Sequence, residues 1–148
     1  MSKPLQVPFA ATLHVKDACL CLHAQRAARA LARRFDEAFR RFGITSGQFS
    51  LLMSLNRPEP PSIGAVASLL AMDRTTLTAN LKPLERRGLL TVSVDPNDRR
   101  GRRLALTSTG MALLARALPV WIENHATIEA SLPDADPDAL RAALLALA

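Results

Sequence analysis

Four arginines stand within five residues, at Arg99, Arg100, Arg102 and Arg103, and Asp98 precedes them directly. The arginine guanidinium binds phosphate through charge-assisted hydrogen bonds, and it enters narrow DNA minor grooves where negative potential concentrates. The run lies between two segments rich in β-branched and alternating residues, which is typical of a β-hairpin turn. The sequence therefore predicts a hairpin whose tip binds a polyanion.

A second polar set precedes this run on a predicted helix. Its apolar side is formed by Leu77, Leu81 and Leu84, which are three and four residues apart. The opposite side carries Arg74, Thr75, Thr76, Thr78, Ala79 and Lys82. A helix fits the DNA major groove, where short polar side chains near its N-terminus reach base edges. Residues 73–103 hold eight basic and four acidic residues, and so carry four of the chain's six net positive charges.

Two cysteines and a histidine form the next group that could carry chemistry. Cys21 is a candidate redox sensor, since an accessible thiolate is the reactive species. The alternative is that Cys21 packs on the apolar side of its helix. Cys19, Cys21 and His23 together suggest a metal or metalloid site, since Cys19 and His23 are four residues apart and share a helix face. Zinc needs four ligands, so His14 or a residue of a partner chain would have to complete it.

A candidate ligand pocket involves Trp121 and His125, which are also four residues apart. They are expected to face the first long helix, where Arg26 would hold the carboxylate of an anionic ligand. The alternative is that Trp121 fills an apolar interface.

Apolar periodicity and helix-capping residues predict the helices and strands that position these residues. An extended arm is expected over residues 1–14, followed by one long helix over 15–42 that ends at Gly43. Thr45 or Ser46 caps a second helix that ends at Asn56. Ser62 opens a short third helix, and Asp73 caps the fourth helix, which carries the threonines and ends at Gly88.

The remainder contains a hairpin and two helices. Strands are predicted over 89–94 and 102–107 around a charged turn at 95–101. A fifth helix over 110–129, capped by Ser108 or Thr109, contains Pro119, which should kink or break it. A last helix covers 134–148. The fold class is therefore mainly α with a small β-hairpin wing.

Composition limits the classes of function. The chain has 148 residues, of which 49% are hydrophobic, and no apolar run reaches the length of a membrane span. No signal peptide is evident, which predicts a cytoplasmic protein with free thiols. No Gly-rich phosphate loop or complete metal set is present, so no cofactor and no enzymatic activity are expected. A thiol peroxidase that uses Cys21 is the enzymatic alternative.

Three segments carry a resemblance to a known family. GQFSLLMSL, IGAVASLLAMDRTTLTANLKPLERRGLL and DPNDRRGRRLALTSTG resemble the MarR family over residues 17–125. The wing pattern of Asp98, Arg100 and Leu106-Thr107, followed by Gly110, is the most specific part of the match. The resemblance implies a single domain over 1–148, with a winged helix-turn-helix region at 46–107 and dimerisation helices at 15–42 and 110–148.

The resemblance also implies function. A homodimer would bind a pseudo-palindromic operator in duplex DNA, with the fourth helix in the major groove. Arg100 would reach the minor groove, and Asp98 would brace it. Members usually repress nearby genes, and release DNA when a small anionic or aromatic inducer binds or when a thiol is oxidised.

Two features of the match bear on the signal and on alternatives. Cys21 matches the reactive cysteine of the organic-hydroperoxide-sensing branch, but Phe35 and Ser46 stand where that branch has tyrosines. A winged-helix module that binds protein instead of DNA is the alternative to a DNA-binding regulator, as is a metal-responsive regulator.

Overall fold

The computed structural model describes residues 4–148 and consists of seven α-helices and one β-hairpin over that range. The elements are α1 (Phe9–Ala18), α2 (Leu20–Phe39), α3 (Ser46–Ser54), α4 (Ile63–Leu69), α5 (Arg74–Arg86), β1 (Leu90–Asp95), β2 (Asp98–Leu106), α6 (Ser108–Ala130) and α7 (Pro137–Ala146). The predicted fold class, mainly α with a β-hairpin wing, is confirmed.

A three-helix unit and the hairpin form the winged helix. Helices α3, α4 and α5 pack around Leu52, Leu77 and Leu84, which are fully buried. Strands β1 and β2 are antiparallel, with Leu90 opposite Leu106, and they close one side of this core. Burial of leucines from both the helices and the strands attaches the wing to the helices. Each fully buried side chain of this kind stabilises the fold by about 1.5–3 kcal/mol.

Side-chain caps define where the helices begin. Thr45 accepts a hydrogen bond from Gln48 N at 3.2 Å, and Gln48 Oε1 accepts one from Thr45 N at 3.0 Å, which completes a capping box. Ser62 and Asp73 cap α4 and α5 as predicted. Helix α6 is capped by Thr107, and not by Ser108 or Thr109.

The N-terminal region differs from the prediction. Helix α1 begins at Phe9 within the expected extended arm, of which residues 1–3 lie outside the described range. The single long helix expected over 15–42 is divided at Cys19, whose φ of −70° and ψ of 110° are extended. A short 3-10 turn, Arg40–Phe42, ends this region. The regular apolar spacing that predicts this helix begins at Cys21, after the break, so spacing gave no signal for the break.

Both prolines inside helices are accommodated. Helix α6 is continuous through Pro119 and α5 through Pro83, so the predicted break at Pro119 is absent. A proline removes one backbone hydrogen bond, but neither proline ends its helix. Helix α7 begins at Pro137 after the cap Asp136, three residues later than expected.

The terminal helices α2 and α6 pack against each other, and their aromatic residues contact α3. Phe39 is fully buried and stacks on Phe49 of α3, with ring centroids 4.6 Å apart. Helices α1 and α7 contain no buried residue, and their apolar side chains are exposed. Across residues 4–148, no helix is both long and apolar enough to span a membrane.

Candidate nucleic-acid interface

Helix α5 displays its polar side to solvent. Its leucines are buried, whereas Arg74, Thr75, Thr78 and Lys82 are exposed on the other side. These four residues, with Ala79, line a shallow depression of about 380 Å³. The helix is 13 residues long, so its free face extends about 20 Å, enough to lie along a DNA major groove.

Two of the three threonines have hydroxyls that are already engaged. Thr76 Oγ1 donates to Asp73 Oδ2 at 2.8 Å, and Thr78 Oγ1 donates to Arg74 O at 2.8 Å. Thr75 is exposed, and within residues 4–148 its hydroxyl makes no hydrogen bond. Thr76 therefore stabilises the start of the helix, and Thr75 has the hydroxyl that is available to a ligand.

Asp73 holds the first turn of α5. Its Oδ1 accepts the Thr76 N–H at 2.8 Å, and the Thr76 hydroxyl donates to its other oxygen. These hydrogen bonds favour the ionised carboxylate and lower the pKa of Asp73 below its ordinary value. The recognition side of α5 is therefore anchored by a charged cap.

The wing extends farther than the sequence predicted. Strands β1 and β2 run through most of the expected turn, and only residues 96 and 97 connect them. Arg99, Arg100 and Arg102 are exposed at this end of the hairpin. Arg102 Nη1 donates to Arg99 O at 3.2 Å and to Gly101 O at 3.0 Å. The wing thus presents three guanidinium groups on a hairpin whose register shifts between Val94 and Asp95, beside its turn.

Asp98 supports Arg100 differently from the expectation. Asp98 Oδ1 accepts the backbone N–H of Arg100 at 3.0 Å, and no ion pair joins their side chains within the described range. The charged brace of the wing is instead formed by Asp95 and Arg103, whose Oδ2 and Nε atoms are 2.9 Å apart. The Arg100 guanidinium is left available to a ligand.

Arg103 also connects the wing to the loop before α4. Its Nη1 donates to Pro60 O at 3.2 Å, and Leu104 N donates to Pro61 O at 2.9 Å. Ser62 forms an isolated antiparallel bridge with Arg103. These contacts fix the wing relative to the start of α4. The sequence indicated Arg103 only as part of the basic run. Arg103 lies opposite Ser93 in the hairpin, so its ion pair with Asp95 is diagonal and depends on the register of the strands.

A polar cleft of about 400 Å³ separates α5 from the wing. Its charged lining consists of Arg74 from α5, Arg100 and Arg102 from β2, and the carboxylates Asp95 and Asp98. Asp95 is almost completely buried and is neutralised by Arg103. The two predicted polar sets therefore meet at one cleft, and its cationic side chains come from both.

The candidate thiol and metal residues lie elsewhere, at the break between α1 and α2. Cys21 is exposed and accepts a hydrogen bond from Gln25 Nε2 at 3.4 Å, so it does not pack in a core of this chain. Cys19 Sγ accepts from Leu22 N at 3.4 Å, and His23 Nδ1 donates to Cys19 O at 2.7 Å. Within residues 4–148 no three His, Cys, Asp or Glu side chains come together as a metal site.

The candidate ligand pocket has a different location from the one predicted. Trp121 lines a cavity of about 370 Å³ against α3 and α4, and not against the first long helix. His125 stacks on the Trp121 ring at 4.6 Å but does not line the cavity, and Arg26 is not part of it. The lining consists of Phe49, Ser50, Met53, Ser54, Leu69, Leu118 and Trp121. None of these residues carries a charge.

The geometry defines a winged helix-turn-helix with a basic recognition helix and wing. The MarR family model matches residues 44–101 of this chain. The transcriptional regulator PecS of Dickeya dadantii is 30% identical over 115 residues, which cover 76% of this chain and 69% of PecS. The chain belongs to the MarR family of DNA-binding transcriptional regulators.

Two solved structures of transcriptional regulators support this placement. The Mycobacterium tuberculosis regulator MosR in complex with DNA superposes with a TM-score of 0.79 at 35% identity, covering 87% of this chain and 92% of MosR. The repressor CouR bound to a 23-mer DNA duplex gives a TM-score of 0.72 at 28% identity, with 98% and 96% of the two chains covered.

Proposed function

We propose that the chain is a homodimeric repressor that binds a pseudo-palindromic operator in duplex DNA. The observation that carries the proposal is the cleft at which Arg74 of α5 meets Arg100 and Arg102 of the wing. A helix in the major groove and a hairpin in the adjacent minor groove would bring both sides of this cleft to one strand of phosphates. The DNA complexes of MosR and CouR support the same assignment.

The roles proposed for the individual residues follow from their exposure. Thr75 and Thr78 face the major groove from the first two turns of α5, and Lys82 binds the phosphate backbone farther along the helix. Arg100 enters the minor groove, and Arg99 and Arg102 bind the adjacent phosphates. Asp98 holds the Arg100 backbone through the hydrogen bond described above.

Binding to DNA is tested by fluorescence anisotropy with duplexes selected from a random pool, across a salt series. Several phosphate contacts predict a steep fall of affinity with salt, since each contributes about 0.9 to the slope of log affinity against log salt. Absence of binding to any duplex at low salt would overturn the proposal and favour a winged-helix module that binds protein.

Dimerisation is proposed through the terminal helices, over the predicted ranges 15–42 and 110–148. Leu20 and Leu31 on α2 and Leu144 and Leu145 on α7 are exposed by 68, 42, 49 and 76%. Apolar side chains gathered on unpacked helices favour burial against a partner, and a second copy presents the same surface.

The dimer is tested by light scattering coupled to size-exclusion chromatography. We expect Leu144→Asp to shift the dimer toward monomer and to weaken operator binding. Leu69→Asp is the matched control, because Leu69 is 61% exposed but lies on α4, outside the terminal helices. A wild-type protein that remains monomeric at micromolar concentration would contradict the proposal.

Release from DNA is proposed to follow binding of a small aromatic inducer in the Trp121 cavity. The cavity joins α6 to α3 and α4, so a ligand there contacts both the terminal helices and the DNA-binding unit. Its lining carries no charge, which favours the aromatic part of the inducer over a carboxylate held by Arg26. The chain has one Trp and no Tyr, so intrinsic fluorescence reports on Trp121 alone. Ligands that release the operator should quench it, and release without any change in this emission would contradict the assignment.

Oxidation at Cys21 is a second candidate for the signal, supported by the exposure of its thiol. An organic hydroperoxide would oxidise the thiolate to a sulfenic acid and be reduced to the alcohol. We expect Cys21→Ser to abolish release of DNA by cumene hydroperoxide, with Cys19→Ser as the control at the neighbouring thiol. An equal response in Cys21→Ser and wild type would exclude this signal.

A further inference from the structure

The Arg74 guanidinium is folded back against α4. A Cβ atom at Gly64 would lie 2.8 Å from Arg74 Nη2, 3.5 Å from Cζ and 3.8 Å from Nε. Carbon atoms in van der Waals contact with nitrogen stay farther apart than the first of these distances. Any side chain at position 64 would therefore displace the guanidinium, and the glycine creates the space that it occupies.

Arg74 has no structural partner in this position. Its side chain is exposed, and among residues 4–148 the guanidinium forms no hydrogen bond and no ion pair. Arg74 is also the first residue of α5, where the helix dipole disfavours a positive charge and favours a negative one. The arrangement does not stabilise the isolated helix, whereas an anion at this point would interact favourably with both the guanidinium and the dipole.

The folded-back position brings the charge of Arg74 to the cleft that it shares with the wing. Arg100 and Arg102 line the same cleft from β2. The two carboxylates in the lining are both engaged, Asp95 with Arg103 and Asp98 with the backbone N–H of Arg100. The three arginines therefore retain N–H donors for an external anion, and DNA phosphate accepts several such bonds at once.

We propose that Gly64 is a positioning residue, which directs the Arg74 guanidinium to the cleft where Arg74 and Arg102 bind one backbone phosphate of the operator. This inference rests on the proposed function, since it requires duplex DNA as the ligand. It assigns Arg74 to the phosphate backbone, and leaves the reading of bases to other residues of α5, such as Thr75 with its free hydroxyl. Phosphate contacts set position and affinity but carry no sequence information directly.

The chain supplies a matched control for the test. Gly64 follows the cap Ser62 by two residues in α4, and Gly47 follows the cap Thr45 by two residues in α3. A Cβ at Gly47 would have only Thr45 Oγ1 within 4 Å, at 3.9 Å. Gly→Ala at the two positions thus makes the same change in helix propensity, and only the change at position 64 displaces Arg74.

The experiment measures operator affinity by fluorescence anisotropy across a salt series for wild type, Gly64→Ala, Gly47→Ala, Arg74→Ala and the double variant Gly64→Ala/Arg74→Ala. Circular dichroism melts check that each variant is folded. We expect Gly64→Ala and Arg74→Ala to lower affinity by about 3- to 10-fold on all duplexes alike. The salt slope should fall by about 2 for a dimer, one phosphate in each half-site.

The double variant separates positioning from a general effect on helix packing. If Gly64 acts through Arg74, Gly64→Ala should have no further effect in the Arg74→Ala background. An equal loss of affinity from Gly64→Ala in the wild-type and Arg74→Ala backgrounds would overturn the inference, and so would unchanged affinity and salt slope in Gly64→Ala. Either result would leave the proposed function intact as long as the wild type binds DNA. Failure of the wild type to bind any duplex would overturn both.

Discussion

Arg103 Nε lies 2.9 Å from Asp95 Oδ2, and this ion pair joins the two strands of the wing. Asp95 is 8% exposed, and its other carboxylate oxygen accepts the backbone N–H of Asn97 at 2.9 Å. Arg103 reaches in addition to the carbonyl of Pro60. One guanidinium therefore connects the wing turn, the middle of β2 and the loop before α4.

Arg103→Ala should destabilise the protein by about 1–3 kcal/mol, because it leaves the Asp95 carboxylate nearly buried without its counter-charge. Chemical denaturation measures this loss. Operator affinity should fall as well, since the wing loses its orientation. Arg99→Ala is the control, because it removes a positive charge from the wing without breaking the ion pair. If Arg103→Ala leaves the free energy of unfolding unchanged, the ion pair does not brace the wing.

Arg100→Ala should weaken operator binding without lowering the melting temperature. The Arg100 guanidinium makes no hydrogen bond or ion pair among residues 4–148, so its loss removes a ligand contact and no structural one. We expect a loss of about 1–3 kcal/mol of binding free energy, measured by anisotropy. Arg33→Ala on α2 is the control, and equal affinity in Arg100→Ala and wild type would contradict the minor-groove assignment.

The cap of α5 should make stability depend on acid pH. The pKa of Asp73 is lowered first by the backbone N–H of Thr76 and then by its hydroxyl. A lowered pKa means that the cap stabilises the fold above the unfolded pKa, and that this contribution is lost as pH falls through the folded value. The melting temperature should fall below about pH 4.

Asp73→Asn tests this dependence, because asparagine caps a helix about as well as aspartate but does not titrate. The melting temperature of Asp73→Asn should depend less steeply on pH between 5 and 2 than that of the wild type. Glu59→Gln, in the loop before α4, should leave the wild-type profile unchanged. Identical profiles for Asp73→Asn and wild type would contradict the charged cap.

Gly110→Ala should destabilise the protein more than any other glycine substitution near the wing. A Cβ at Gly110 would lie 2.1 Å from Leu89 O and 2.9 Å from Leu106 Cδ1, and the Leu89 carbonyl is held by a hydrogen bond from Thr107 N. Overpacking of this kind costs about 1–3 kcal/mol or more. The measurement is a thermal or urea melt, with Gly47→Ala as control. If Gly110→Ala unfolds at the same midpoint as the wild type, α6 moves freely relative to the wing.

Much of the candidate interface could be predicted because its signals are local. The cap Asp73, the leucines of α5 and the arginines of the wing are defined by spacing within 30 residues, and side-chain periodicity follows directly from helix and strand geometry. The break at Cys19 was missed because the regular apolar spacing begins only at Cys21, after the break. The sequence did not predict that Trp121 lines a cavity with α3 and α4, since the face of α6 that meets α3 depends on how distant elements pack.

The amino-acid order determined by itself which segments from α3 onward are helical, which side of α5 is polar, and where positive charge accumulates. Those properties arise from neighbours along the chain and from short-range backbone geometry. Only the tertiary structure decided which charged side chains are already paired within the protein. It paired Asp95 with Arg103, left Arg100 available, and laid Arg74 across Gly64. These outcomes require contacts between residues ten or more positions apart, or across the strands of the wing, which depend on packing and have no local signature.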